Sequence, residues 1–161
     1  MNEMKHGPAA PDEPTALNID LECMNSAENV FKNIKGDKAE NPERAINEAI
    51  AVLKENGLYA LVIYLEANFK KDKNNNPQVT VYSRISEGIQ AFGKIMKAWS
   101  GEDLRKNVRD LSSTDNIFNL FFVVDVVEQM LIYLRYLAKG LPKASDKHSG
   151  KSDPTAKTEK S

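Results

Sequence analysis

Residues 58–65 read LYALVIYL, apolar on every side and preceded by Asn56-Gly57. Periodicity alone fits such a run to a buried strand or to a buried helix, so length has to decide. The segment continues through Glu66, Ala67, Asn68 and Phe69 to Lys71, about fourteen residues, which is helix length. Its basic end, Lys70-Lys71, complements the negative pole of a helix dipole. Asn56-Gly57 is a hairpin signal only between alternating flanks, and the flank before it has helical period. Gly57 is therefore read as a helix C-terminal cap, followed by a sharp corner into the central helix of the core.

To the left of the corner, Ala45, Ile46, Ala49, Ile50, Val52 and Leu53 form a core-facing stripe with Arg44, Glu48 and Glu55 outside. This helix starts at Asn41-Pro42-Glu43, a cap, a first-turn proline and an acid at the positive pole, and ends near Asn56. Gly36-Asp37-Lys38 separates it from a first helix over residues 19–34, whose Leu21, Met24, Ala27, Val30, Phe31 and Ile34 recur every three or four residues. To the right, residues 72–77, DKNNNP, make a polar loop. Tyr82, Ile85, Ile89, Phe92, Met96 and Trp99 then predict a helix over 79–99, with Gly88, Ala91 and Ala98 as a small-residue stripe for close helix approach. A short helix over 103–111 follows. A last one begins near Thr114 or Asp115 and stops at Lys139-Gly140 before Pro142. The expected fold class is all-α, a compact bundle of five or six helices with no repeat of solenoid length.

The chain has 161 residues and 18.0 kDa, 41% hydrophobic and 28% charged, which suits one small soluble domain. Residues 1–18 carry three of the seven prolines, Pro8, Pro11 and Pro14, and residues 142–161 are almost free of apolar side chains. Neither end can offset the entropy of its own ordering, so 1–18 and 142–161 are expected to be disordered tails around a helical domain at 19–141. The single cysteine, Cys23, makes no internal disulfide and reads as a small buried hydrophobe. The only histidines, His6 and His148, fall in the tails, which leaves the domain none for acid–base work or metal binding. No secretory leader is visible. The longest apolar helix is interrupted by Asp125, Glu128, Gln129 and Arg135, so an intracellular, cytoplasmic protein with no membrane contact is expected.

Catalytic and cofactor chemistry finds little purchase. Glu102-Asp103 and Asp125 with Glu128 are the candidate carboxylate pairs, but a di-metal bundle needs more acids and Glu-x-x-His. Gly57, Gly88, Gly93 and Gly101 fit neither phosphate-loop nor dinucleotide fingerprints. The chain is expected not to be an enzyme and to need no cofactor or metal. Charge is graded: residues 19–56 carry eight acids and five bases, residues 57–141 nine acids and eleven bases. Lys70, Lys71 and Lys73 end the central helix. Arg84, Lys94 and Lys97 lie on the next helix and Arg105, Lys106 and Arg109 on the short one. If these basic residues converge, they follow a nucleic-acid backbone by charge without reading bases; otherwise they are a solvated surface.

The helix stop, Gly-Leu corner and apolar helix of ENGLYALVIYL, residues 55–65, resemble the small α-helical subunit of type III-B (Cmr-type) CRISPR RNA-guided effector complexes. Ala27-Glu28-Asn29-Val30 looks like that family's opening helix, and IYLRYLAKGL, residues 132–141, is similar to its closing helix. The order and spacing of the helices agree over about 120 residues. The resemblance implies a non-catalytic protein that stacks head to tail with copies of itself, beside the guide-bearing subunits of the complex, and contacts the backbone of guide and target RNA. Arg84, Lys94, Lys97, Arg105, Lys106 and Arg109 are the candidate contacts, and base pairing would carry the sequence information. The alternative from another class is a helical adaptor or regulator that binds a protein partner through an apolar groove and never meets RNA.

Overall fold

The computed structural model describes residues 17–34, 41–71, 74–75, 78–113 and 117–141. Among the described residues five helices make the fold: α1 Ile19–Ile34, α2 Pro42–Ala67, α3 Val81–Ile95, α4 Leu104–Ser112 and α5 Ile117–Lys139. The tails, the break at Gly36-Asp37-Lys38 and the cap expected at Thr114 or Asp115 lie outside the described residues. Going round the core, α1 packs on α3, α3 on α2, α2 on α5 and α5 back on α1, while α4 lies against α2 and α5. The fold is an all-α bundle. Phe92, Ile34, Ile46, Leu53, Leu61, Leu65, Met130 and Leu134 are among its largest fully buried side chains.

α2 joins the two helices expected on either side of Gly57. The span Pro42–Ala67 is two helical halves that meet at a kink, where Gly57 has φ 84° and ψ 179°, which no L residue adopts without strain. A Cβ built there meets nothing within 4 Å, so conformation rather than crowding requires the glycine. The corner turns Leu58, Leu61, Val62 and Leu65 into the core and leaves Tyr59 and Ile63 outside. α2 ends at Ala67 rather than Lys71, because Asn68 closes it: its backbone N–H reaches Leu65 O at 3.1 Å and its side-chain amide donates to Tyr64 O at 2.8 Å.

α3 is shorter at both ends than residues 79–99. Thr80 and Ser83 form a reciprocal capping box, Ser83 N–H to Thr80 Oγ1 at 3.1 Å and Thr80 N–H to Ser83 Oγ at 2.9 Å. At the other end Lys97 has φ 55°, Ala98 N–H bonds to Gly93 O at 2.9 Å and Lys97 N–H to Lys94 O at 3.0 Å. These two bonds are the Schellman stop, with lysine in the left-handed position that glycine usually fills. Lys97→Gly is expected to raise unfolding free energy by about 1 kcal/mol, measured by urea titration, since the lysine pays the steric cost of that conformation.

The small-residue stripe operates through Gly88 rather than Ala91, which is exposed. A Cβ at Gly88 would overlap Val30 Cγ2, so its absence lets α1 approach α3. Gly93 does the same for Trp99, whose indole lies over it. α5 runs antiparallel to α1, as two contacts show: the Tyr133 hydroxyl donates to Asp20 at 2.5 Å and Cys23 Sγ lies 3.5 Å from Val126 O. Burial, then the nearby Asp20 charge, push the Cys23 thiol up to about 11, which suits an inert core residue. By length and composition α5 is also long and apolar enough to cross a membrane, and about a third of its apolar window, 33%, is buried in the bundle.

Candidate nucleic-acid interface

The six basic residues singled out from sequence are spread over α3, the turn that ends it and α4. Arg84 opens α3 and Lys94 lies near its end, ten residues and about 15 Å along the axis. On α4, Leu104, Asn107, Val108 and Leu111 point inward, so Arg105, Lys106 and Arg109 share the outward side of that helix. Four of the six are engaged by acids. Arg84 Nη1 lies 2.6 Å from Glu87, Lys94 Nζ 2.5 Å from Glu102 and Lys106 Nζ 2.5 Å from Asp110, while Arg105 pairs with Glu66 across the α2–α4 contact. Lys97 and Arg109 are exposed and have no ion pair among the described residues.

Three of the four acids in the two carboxylate pairs considered from sequence are likewise drawn into other contacts. Glu102 holds Lys94, and Asp103 caps α4 by accepting from Lys106 N–H at 3.0 Å. Glu128 lies 2.8 Å from Lys54 of α2, whereas Asp125 is exposed on α5.

Between α3 and α4 a clasp of neutral polar groups fixes the loop that carries these charges. Trp99 Nε1–H donates to Gln90 O at 3.1 Å, and the Asn107 amide donates to Gly101 O at 3.0 Å and to Gln90 Oε1 at 3.3 Å. Gln90 Nε2 also donates to Gly101 O at 2.5 Å. Asn107 is only 9% exposed, so its amide is satisfied by this arrangement rather than by water. Beside the clasp lies an open cleft of about 490 Å³, lined by Trp99, Ser100, Lys106, Asn107, Asp110 and Asn119 among others. Lys97 directly precedes this wall of the cleft, which begins at Ala98.

A second polar cluster has no counterpart in the motifs read from sequence. Glu48 takes Arg44 Nε on one oxygen at 2.8 Å and the hydroxyls of Tyr64 and Tyr82 on the other at 2.7 and 3.1 Å. The two rings meet edge to face, 5.9 Å between centroids, and so tie both halves of α2 to the start of α3. The Arg44 hydrogen bond, then those from the tyrosines, hold the Glu48 carboxyl below its ordinary range. Burial and then Glu48 push the Tyr64 phenol up. A depressed carboxylate contributes stability above its unfolded pKa of about 4.3 and loses that contribution as pH falls through the lower folded value. Glu48→Gln is therefore expected to lower Tm at pH 7 while leaving a flatter Tm profile on the acid side, read by thermal melts across pH.

No family model, curated protein or solved structure matches this chain.

Proposed function

We propose that this chain is a non-catalytic helical subunit of an RNA-guided effector assembly of the type III-B CRISPR kind, docking against other subunits and touching RNA through phosphate and sugar. The observation that carries this reading is the corner at Gly57. Its positive φ turns Leu58, Leu61, Val62 and Leu65 inward, where α2 packs on α5. Residues 55–65 and 132–139, from two of the stretches that resemble that family, thus belong to the two helices that share this contact.

The charge pattern suits a weak, assembly-dependent RNA contact. Exposed ion pairs are worth about 0–1 kcal/mol, so exchanging Glu102 or Asp110 for a phosphate costs little. Lys97 needs no such exchange and keeps a backbone conformation that glycine would hold at lower cost. A non-glycine side chain at a strained position supports a working role for it. Lys97→Glu with Arg109→Glu is expected to reduce RNA retention by the assembly and to make the logarithm of affinity fall less steeply with the logarithm of salt, by about one unit per lost contact. Circular dichroism of the double variant should remain native, because both positions are exposed. Retention and salt slope equal to wild type would contradict the contact.

The adaptor reading has its own supporting observation in the first turns of α5. Phe118 is 81% exposed there, with Phe121 and Phe122 beside it, a docking surface that needs no RNA.

A further inference from the structure

α5 is apolar nearly all round, yet the bundle covers one side of it. Val123, Val127, Met130 and Leu134 turn inward. At about 100° per residue the opposite side carries Phe118, Phe121, Phe122, Asp125 and Tyr136 in one stripe along the helix. Phe121 is 57% exposed, Phe122 41% and Tyr136 63%. A helix with this composition ordinarily lies inside a protein, and three phenylalanines within five positions exceed the scatter of single exposed apolar residues.

The stretches of sequence outside the described residues are poor in apolar side chains that could cover it. Residues 35–40 and 142–161 contain no large apolar side chain, and residues 1–16 contain only Met1 and Met4. A second copy also fits poorly. Asp125 sits in the middle of the stripe, exposed and without an ion pair among the described residues. Arg135, at the edge of this stripe, is half-buried, which leaves Lys139 as the exposed cation on this side of α5, its Nζ 5.6 Å from the Tyr136 ring centroid. Packing two α5 helices antiparallel so that Asp125 meets Lys139 of the copy slides the phenylalanines past the end of the other helix at Lys139. On the α1 side of α5, Asp20, Glu22 and Glu28 stand against Lys32, while on the α2 side Lys54 is paired with Glu128, so that Asp125 is left as the uncompensated charge in the stripe.

We propose that the outer face of α5 is the docking site for a basic amphipathic helix of a partner protein, whose apolar stripe covers Phe118, Phe121, Phe122 and Tyr136 while a lysine or arginine beside that stripe meets Asp125. Helix-in-groove recognition takes its affinity from such apolar anchors, and charge at the rim selects the partner. The site gives the subunit-docking part of the proposed function a place and a chemistry, and rests on that part alone.

The probes are two synthetic helical peptides with the same leucine stripe, one flanked by lysines and one by glutamates, titrated by fluorescence anisotropy against the full chain. The lysine peptide is expected to bind about tenfold more tightly than the glutamate peptide. Asp125→Lys should invert that preference, and Phe118→Ala with Phe121→Ala should weaken both peptides without loss of helicity. Equal affinities, or a preference indifferent to Asp125→Lys, would overturn the proposal. So would dimerisation abolished by the phenylalanine substitutions, or co-flotation of the chain with phosphatidylcholine vesicles. RNA retention by the same variants reads the bases of α3 and α4 instead, so a failed peptide experiment with intact RNA retention refutes the docking site and leaves the RNA reading standing.

Discussion

Phe92→Ala is expected to cost about 3–5 kcal/mol of unfolding free energy, a large share of what a domain of this size possesses. Phe92 is 0% exposed and belongs to the face of α3 that also buries Ile85 and Ile89. Truncation removes the transfer energy of a benzyl group and leaves a cavity. The backbone around it has little room to close that cavity, because α3 is held against α1 at Gly88 and against the Trp99 indole at Gly93. Urea titration followed by circular dichroism gives the difference, with Phe92→Leu expected between wild type and alanine. A loss under about 1 kcal/mol would place Phe92 at the surface and undo the packing of α3 described above.

Leu61→Ala and Leu65→Ala are each expected to cost about 2–5 kcal/mol, for a reason that begins at Gly57. Both leucines are 0% exposed, on the half of α2 that follows the corner. Ile63, two residues from each and equally apolar, is 37% exposed, and Ile63→Ala is expected to cost under about 1 kcal/mol. The contrast within one segment is informative. If all three substitutions cost the same, the residues after Gly57 do not take the orientation that the corner gives them.

Much of this architecture is legible in the sequence because local chemistry and packing agree. α1 occupies residues 19–34 as its periodicity requires, and Asn41-Pro42 starts α2 where a cap and a first-turn proline belong. The Gly57 corner is legible too, because a helix stop at Asn56-Gly57 followed by an apolar helical run is what the kink at Gly57 delivers. The reading of α3 overran for a physical reason. Its hydrophobic period continues through Met96 and Trp99, but the Thr80–Ser83 capping box and the left-handed Lys97 set the helix ends, and periodicity registers neither.

The candidate interface was less legible, because charge in a sequence carries no record of its partner. Arg105 meets Glu66 thirty-nine positions away, and Lys94 meets Glu102 across a loop. Glu48 looked like an ordinary solvent-facing acid on α2, and its two tyrosine partners come from beyond the Gly57 corner. Tyr64 and Tyr82, each a polar tip on an otherwise apolar stretch, were the available signal. The exposed aromatic stripe of α5 was hidden for the opposite reason. IFNLFFVV is apolar in every direction, so its sequence cannot say which side the bundle leaves open.

Affinity purification of the tagged full chain from its native host, followed by sequencing of bound RNA and identification of bound proteins, tests the proposed function most directly. The expected preparation contains short guide RNAs together with guide-bearing subunits, and loses RNA from the complex when Lys97→Glu and Arg109→Glu are combined. A preparation holding one protein partner and no RNA would contradict it and leave the helical adaptor as the function of this fold.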